Sequence, residues 1–223
     1  MNDRIEAVLF DLDGTLLDTA ADIGGALNAI LRAHGRAPLP LETIRPHVSK
    51  GGMALLCIGF GLVLERAADD PRAVELHRQL LDFYRRNLSA GTRLFPGMEA
   101  LLARIEDSGR KWGIVTNKPG FLTDPLLRDL GLDARAACVV SGDTLARKKP
   151  WPDPLLHACA TLGVGVERSV YVGDDARDIE SGRRANMRTI AAAYGYIPPR
   201  DDPRAWGADA IIHHPDQLRR WLT

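Results

Sequence analysis

Short apolar runs recur along the chain between segments of helical periodicity. The first run, residues 5–10, stops sharply at polar residues, which is typical of a buried strand. Further runs of this kind are residues 112–115, 137–140, 169–172 and 189–193. Apolar residues at helical spacing separate the later runs, as in residues 98–105, 154–162 and 176–185. Strands that alternate with helices predict an α/β fold, with a parallel sheet covered by helices on both faces.

The connection between the first two apolar runs is long and has helical periodicity of its own. It spans residues 11–111, whereas a crossover between parallel strands usually needs roughly 10–20 residues. Apolar residues recur within it at helical spacing in two stripes: Ile23, Leu27, Ile30 and Leu31, and Ala73, Leu76, Leu80 and Phe83. We therefore predict a helical domain at residues 17–94, inserted into a core domain made of residues 1–16 and 95–223.

The composition fits a globular protein and gives no sign of several other classes. The chain has 223 residues, 45% of them hydrophobic, and its 29 basic and 29 acidic residues give a formal net charge of zero. A balanced charge gives no electrostatic basis for nucleic-acid binding, and no apolar run approaches the ~18 residues of a membrane span. We expect no nucleic-acid or membrane partner, and a monomer or a weak homodimer. Three widely spaced cysteines and charged first residues favour a cytoplasmic protein with reduced thiols.

Two aspartates directly follow the first predicted strand. Asp11 and Asp13 lie two residues apart, so an extended chain directs both side chains to one side, and Gly14 lets the chain turn. Ligands of parallel sheets bind at the carboxyl ends of the strands. Two close carboxylates repel each other unless a cation lies between them, and oxygen ligands favour Mg²⁺. An Asp-rich turn is the alternative, but the apolar strand before it and Gly-Thr after it favour a metal site.

A second acidic cluster follows the strand predicted at residues 169–172. Asp174 comes just after the strand, Asp175 is next to it, and Asp178 follows one helical turn later, so they can face one site. An acidic helix N-terminus would explain one of these aspartates well but three poorly. We expect Asp174 to bind the metal, while Asp175 and Asp178 can each act through water.

Two further strand ends carry groups suited to a phosphoryl oxygen. Thr116 and Asn117 follow the strand at 112–115, where a hydroxyl and backbone N–H groups can hold a phosphate, although Thr-Asn is also an ordinary turn. The loop after residues 137–140 contains Lys148 and Lys149, and a lysine there could neutralise both the carboxylate pair and an incoming phosphate. Surface lysines are common, so residue type alone leaves the choice between these two open.

In their order along the chain, these four motifs resemble those of the haloacid dehalogenase superfamily of phosphohydrolases. The match covers essentially the whole chain, and the segment from Asp11 to Thr15 is its most specific part. The Lys-Pro dipeptide usual in the family points to Lys149 as the motif lysine. The resemblance implies a Rossmann-like parallel sheet with an inserted helical cap of the C1 type, which fits the position of residues 17–94 between the first and second motifs.

The resemblance also implies catalytic roles. Asp11 resembles the nucleophile that forms an aspartyl-phosphate, and Asp13 resembles the general acid and base that protonates the leaving alcohol and then activates water. The presence of Asp13 argues for phosphate over halide chemistry, because the dehalogenases of the superfamily lack an acid there. The implied substrate is a small phosphate monoester.

The metal and the phosphoryl group are assigned ligands in the same way. Mg²⁺ would be held by the Asp11 side chain, the Asp13 backbone carbonyl and Asp174. Three further residues are expected beside these ligands: Thr15, Asp175 and Asp178. Three residues would bind the phosphoryl group: Thr116, Asn117 and Lys149.

A mobile cap would exclude water from the site and contact the leaving group of the substrate. Its candidate contact loop is residues 47–52, where two glycines allow close approach of the backbone to a ligand. We expect His47, Lys50 and Gly51 to contribute to substrate specificity, with Lys50 meeting a substrate anion. A helix-start turn with a solvated lysine is the alternative.

Within the superfamily, the chain resembles the phosphoglycolate phosphatase group and, more closely, the bacterial N-acetylmuramic acid 6-phosphate phosphatases of peptidoglycan recycling. The supporting segments are residues 48–52, 112–119, 173–182, 194–197 and 206–209. The resemblance implies Mg²⁺-dependent hydrolysis of one of these two substrates. A sugar-phosphate mutase, which shares the core motifs, and a non-catalytic phosphate-binding protein are the alternatives.

Overall fold

The computed structural model describes residues 4–67 and 69–222. That part of the chain forms eight strands: β1 (Ala7–Phe10), β2 (Leu17–Asp18), β3 (Arg93–Leu94), β4 (Lys111–Val115), β5 (Cys138–Val140), β6 (Ser169–Gly173), β7 (Arg188–Ala192) and β8 (Ala210–Ile212). It also forms nine α-helices: α1 (Ala20–Ala33), α2 (Leu41–Ile44), α3 (Gly52–Phe60), α4 (Leu64–Ala67), α5 (Pro71–Arg85), α6 (Met98–Asp107), α7 (Gly120–Asp129), α8 (Asp153–Leu162) and α9 (Ala176–Arg184). None of these helices is both long and apolar enough to cross a membrane.

Six strands form one parallel sheet in the order β5-β4-β1-β6-β7-β8. β1 lies inside the sheet between β4 and β6, and its last residue, Phe10, pairs with Ile114 on one side and Val172 on the other. Every residue of β1 is buried, which explains why its sequence is a continuous apolar run rather than an alternating one. The predicted α/β fold with a Rossmann-like parallel sheet is confirmed.

Successive residues of β1 belong to two different parts of the hydrophobic core. Val8 and Phe10 pack in the cluster that contains Leu102 of α6. Leu9, between them, packs in a second cluster with Leu155 of α8. This division follows from the two-residue period of a strand, which directs neighbouring side chains to opposite faces of the sheet. Helices therefore cover both faces of the sheet.

Helices α1 to α5 form an insertion between β2 and β3, and we call residues 19–92 the helical insertion. β2 and β3 pair antiparallel, with Leu17 opposite Leu94. The chain therefore enters and leaves the insertion at one place, next to the end of β1. The division of the chain at residues 17–94 into a core domain and a separate cap domain stays a prediction.

The apolar stripe on α5 differs in one residue from the predicted one. Leu76, Leu80 and Tyr84 are buried, whereas Phe83 is only half-buried. Tyr84 lies four residues after Leu80, so it continues the same face of the helix, while Phe83 is turned to the side of it. The stripe therefore ends in a residue with a hydroxyl group, and this hydroxyl reaches the site described below.

The sequence analysis did not predict β8. Its three residues pair with β7 at the edge of the sheet. A run this short cannot be told from a turn by periodicity, and the pairing with β7 depends on a tertiary contact that local sequence does not encode.

Adjacent leucines of α8 test how the core is built. Leu155 is 0% exposed and Leu156 is 43% exposed. We expect Leu155→Ala to lower the free energy of unfolding by about 2–5 kcal/mol, because it leaves a cavity between α8 and the sheet. Leu156→Ala, the matched control, should change it by less than about 0.5 kcal/mol. Urea denaturation followed by circular dichroism measures both, and equal effects would contradict the packing described here.

Candidate active site

The carboxyl ends of the central strands bring residues of the predicted site together. Asp11 follows β1, Thr116 follows β4 and Asp174 follows β6. Their backbones continue the sheet contacts by one residue, since the Asp11 amide donates to the Val172 carbonyl at 2.9 Å. Lys149 reaches the same place from the loop between β5 and α8. This is the edge of a parallel sheet at which ligands bind.

Lys149 forms the central ionic contact of the site. Its ammonium lies 2.8 Å from Asp11 Oδ1 and 2.7 Å from Asp178 Oδ1, and it donates to the Tyr171 hydroxyl at 2.7 Å. Burial opposes the charge on this lysine, but the two carboxylates outweigh burial, and the pKa of Lys149 lies above its ordinary value. Lys149 is buried, whereas Lys148 is exposed. The structure thus places Lys149, and not Lys148, against the carboxylates.

Three buried carboxylates lie close together around this lysine. Oxygens of Asp11, Asp174 and Asp178 are all within 4.8 Å of one another. Burial raises the pKa of Asp11 to about 7, an effect that Lys149 opposes and Asp178 reinforces. Burial and the neighbouring carboxylates of Asp11 and Asp178 also raise the pKa of Asp174 well above its ordinary value. A cation bound among these oxygens would relieve that repulsion, so the donor set fits a hard divalent metal.

Asp174 is fixed in place by three donors from separate parts of the chain. Thr15 Oγ1 donates to Oδ1 at 3.0 Å, while Ser49 Oγ and the Tyr196 amide each donate to Oδ2 at 2.7 Å. Ser49 Oγ also lies 3.1 Å from the backbone carbonyl oxygen of Asp13. One atom of the helical insertion is therefore within hydrogen-bond distance of both Asp13 O and Asp174, two of the groups expected to hold the metal.

The side chain of Asp13 pairs with a second lysine, Lys118. Both of its oxygens accept from the Lys118 ammonium, at 2.8 and 3.1 Å. The same ammonium donates to the Tyr84 hydroxyl at 2.7 Å and lies over the Tyr84 ring. Desolvation opposes the charge of Lys118, yet Asp13 and Tyr84 raise its pKa above the ordinary value.

Sequence reasoning assigned no role to Lys118 or Tyr84. Lys118 directly follows Thr116 and Asn117 at the end of a strand, and this position was the available signal. Tyr84 gave none, because a tyrosine in an apolar helical stripe is usually a core residue.

The two residues expected to bind phosphate beside Lys149 have different surroundings. Thr116 is buried, and its hydroxyl accepts from the Lys118 amide at 3.1 Å. The Asn117 side chain bridges the loop of Lys149: its Nδ2 donates to the Lys149 carbonyl at 3.0 Å, and its Oδ1 accepts from the Lys149 amide at 3.1 Å. Asn117 thus holds the lysine loop against β4, and phosphate binding by either residue stays a prediction.

Asp175 and Asp178 form a reciprocal cap at the start of α9. Asp178 Oδ2 accepts from the Asp175 amide at 3.0 Å, and Asp175 Oδ1 accepts from the amide and the guanidinium of Arg177 at 2.9 Å. Arg177 also donates to the Ser49 carbonyl of the helical insertion. Asp175 and Asp178 therefore cap a helix and also lie beside the residues expected to hold the metal.

A cavity of about 530 Å³ lies between the core and the helical insertion and contains the site. Lys50 and Gly51 line it, whereas His47 is not among its lining residues in the part of the chain that the structure describes. The Lys50 ammonium is already paired, at 2.7 Å with Asp201 and at 3.1 Å with Asp175. A substrate anion would have to compete with these carboxylates, so a role for Lys50 in specificity stays a prediction.

The chain matches the family model for haloacid dehalogenase-like hydrolases over residues 8–192. This range includes both acidic motifs, the threonine after β4 and the buried lysine. The protein belongs to this family of hydrolases.

Relatives of known name cover nearly the whole chain. The N-acetylmuramic acid 6-phosphate phosphatase of Pseudomonas aeruginosa is 45% identical over 215 residues, which are 96% of this chain and 93% of the relative. The phosphoglycolate phosphatase of Xanthomonas campestris pv. campestris is 45% identical over 212 residues, 95% of this chain and 94% of the relative. With the family match, these relatives show that the protein is a phosphoric monoester hydrolase.

Solved structures share the fold. A haloacid dehalogenase-like family hydrolase from Streptococcus pneumoniae has a TM-score of 0.80 at 21% identity, with 100% of both chains covered. A haloacid dehalogenase-superfamily hydrolase of subfamily IA from Geobacter sulfurreducens has a TM-score of 0.74 at 22% identity, covering 98% of this chain and 97% of that one. At these identities the likeness shows the fold and nothing finer.

Gly14 allows the chain to turn beside Asp174, and its substitution tests that close approach. Gly14 has φ +87°, and a Cβ there would overlap Asp174 Oδ2 and lie 2.7 Å from Ser49 Oγ. Gly163 has a similar φ, +64°, but nothing lies within 4 Å of the Cβ position. Both substitutions to alanine should cost about 1–2 kcal/mol of stability from the backbone alone. We expect only Gly14→Ala to abolish phosphate release as well. Equal retention of activity in two folded variants would show that the position of Asp174 is not critical.

Proposed function

We propose that this protein is a Mg²⁺-dependent phosphatase that hydrolyses N-acetylmuramic acid 6-phosphate through an aspartyl-phosphate intermediate. The observation that carries the chemistry is the placement of Asp11. It is buried at the end of β1, paired with Lys149 at 2.8 Å, within 4.8 Å of two further carboxylates, and it lines the cavity. A carboxylate so placed can attack a phosphorus atom while the cations beside it stabilise the transferred group.

In the first half of the reaction, an Asp11 carboxylate oxygen attacks phosphorus and the bond to the leaving alcohol oxygen breaks. Asp13, in its protonated form, gives its proton to that oxygen, so that an alcohol leaves. Lys149 favours the carboxylate form of Asp11 and draws charge from the transferred phosphoryl group. Thr116 contributes a hydroxyl at the same edge of the sheet.

In the second half, Asp13 acts in the opposite direction. Its carboxylate takes a proton from a water molecule, whose oxygen attacks phosphorus and releases Asp11 and inorganic phosphate. The Lys118 ammonium lies 2.8 Å from Asp13 Oδ1 and holds in place the carboxylate that takes this proton.

The donor set described above fits Mg²⁺, and Asp11, the Asp13 backbone carbonyl and Asp174 are the residues that would hold it, with Asp178 beside them. When bound, the ion would neutralise charge on the carboxylates and on the phosphoryl oxygens. Asp174 is buried, and Ser49 and the Tyr196 amide already donate to its Oδ2, so the orientation of this carboxylate is fixed.

The substrate is proposed from two observations. The first is the name of the Pseudomonas relative, which is 45% identical to this chain. The second is the cavity, whose volume of about 530 Å³ is in the range that holds ligands of drug size. Phosphoglycolate is much smaller and would leave most of that space unfilled. It is the second candidate, because the Xanthomonas relative is named for it.

A direct comparison of the two esters tests both the substrate and the metal. Release of inorganic phosphate is measured with N-acetylmuramic acid 6-phosphate and 2-phosphoglycolate, each with Mg²⁺ and with EDTA. We expect kcat/KM to favour the sugar phosphate by at least about tenfold. EDTA should abolish activity, and added Mg²⁺ should restore it. Asp11→Asn is the control for contaminating phosphatase. Faster hydrolysis of phosphoglycolate would favour the second candidate, and activity that survives metal removal would contradict the Mg²⁺ requirement.

Asp13→Asn separates the acid–base role from nucleophilic attack. The variant keeps the backbone carbonyl but loses the proton shuttle, and such help is typically worth ~10²–10⁴-fold in rate. We expect a loss of that size on the sugar phosphate and a smaller one on p-nitrophenyl phosphate, whose leaving group needs no proton. Single-turnover and steady-state rates are compared for the two esters. The role in leaving-group protonation would be refuted by equal losses on both.

A further inference from the structure

The proposed substrate carries a second anion, and the cavity contains several cations that could meet it. Besides its phosphate, N-acetylmuramic acid 6-phosphate has a carboxylate on a lactyl arm, far from phosphorus. Most cations that line the cavity are already held by acidic partners. They are Lys50 with Asp175 and Asp201, Lys118 with Asp13, Lys149 with Asp11 and Asp178, and Arg177 with Asp175.

Lys148 differs from these residues. Among the described residues its ammonium forms neither a hydrogen bond nor an ion pair, although it also lines the cavity. It directly precedes Lys149, which is buried against Asp11, while Lys148 is exposed. The loop thus places Lys149 against Asp11, whereas Lys148 lines the cavity from an exposed position. A carboxylate that met Lys148 would therefore belong to the outer part of a leaving group.

His77 joins Lys148 from the helical insertion. It lies on α5, is half-buried and lines the same cavity, with no hydrogen bond to a described residue. Its imidazole packs on the backbone of Gly52, where a Cβ would lie only 2.8 Å from Nε2, so the ring is held at the glycine loop. Lys148 and His77 thus line the same cavity from the β5–α8 loop and from α5, and the pKa of His77 is lowered by burial and then by the charge of Lys148.

We propose that Lys148 and His77 form a subsite for the carboxylate of the leaving group. This inference rests on the proposed function and assigns the recognition of the lactyl carboxylate to Lys148 rather than Lys50. Lys148 supplies the charge, and His77 supplies a ring nitrogen for a hydrogen bond. Since one residue belongs to the core and the other to the helical insertion, a carboxylate bound between them also holds the two parts together over the reacting phosphate.

N-acetylglucosamine 6-phosphate provides a matched substrate, because it lacks only the lactyl ether. We expect Lys148→Ala to lower kcat/KM for the muramic ester about three- to thirtyfold, the range between an exposed ion pair and a charge-assisted hydrogen bond. For N-acetylglucosamine 6-phosphate, kcat/KM of Lys148→Ala should stay within about twofold of the value for the unaltered protein. His77→Gln should lower kcat/KM for the muramic ester by a smaller factor, and it too should leave N-acetylglucosamine 6-phosphate hydrolysis nearly unchanged.

Arg147→Ala is the control variant. Arg147 lies in the same loop and carries the same charge, but it pairs with Asp153 and does not line the cavity in the described part of the chain. It should change neither ester by more than about twofold.

The outcomes separate this inference from the function on which it rests. Selective loss on the muramic ester in Lys148→Ala supports the subsite. Equal loss on both esters, or no loss on either, overturns it. A selective loss in Lys50→Ala, with none in Lys148→Ala, also overturns it and assigns the carboxylate to Lys50. If the unaltered protein does not hydrolyse the muramic ester at all, the proposed substrate fails first, and the subsite for its leaving group fails with it.

Discussion

The ammonium of Lys149 is buried among carboxylates, and the arrangement of the site depends on this contact. It lies 2.8 Å from Asp11 and 2.7 Å from Asp178, two residues that would otherwise repel each other. A buried charge without a partner costs several kcal/mol, so each of these groups needs the others. They come from the end of β1, the first turn of α9 and the β5–α8 loop. The order of strands in the sheet, with β1 between β4 and β6, makes that meeting possible.

The helical insertion contributes directly to the chemistry of the core. Ser49 donates to Asp174, and the Tyr84 hydroxyl accepts from the lysine that pairs with Asp13. Asp174 has a proposed role in metal binding, and Asp13 has a proposed role in proton transfer. Because the insertion is joined to the core at one place, where Leu17 pairs with Leu94, any movement about this junction would change both contacts together.

Reaction chemistry and substrate selection therefore have different structural origins. Asp11 is buried and Asp13 is half-buried, each is paired with a buried lysine, and both follow the end of β1, which suits a step that requires preorganised charge. The cavity around them is lined by residues of both the core and the insertion. Among the described lining residues, Lys148 is the lysine without an acidic partner, and it is exposed. The family match accounts for the phosphatase chemistry, and we propose that the choice among phosphate monoesters depends on side chains such as Lys148 and His77 that line the cavity.

The sequence by itself determined the α/β fold and placed Asp11, Asp174 and Thr116 together, because apolar runs mark the strands and the motifs follow strand ends directly. For Lys148 and Lys149, residue type alone left the choice open, and the Lys-Pro dipeptide of the resembled family pointed to Lys149. Tertiary structure alone decided that Lys149 is buried while Lys148 lines the cavity from an exposed position, and that Asp13 pairs with Lys118. It also decided the position of β8. The physical reason is that a side chain's direction and partners are set by segments distant in sequence, whose packing no local pattern records.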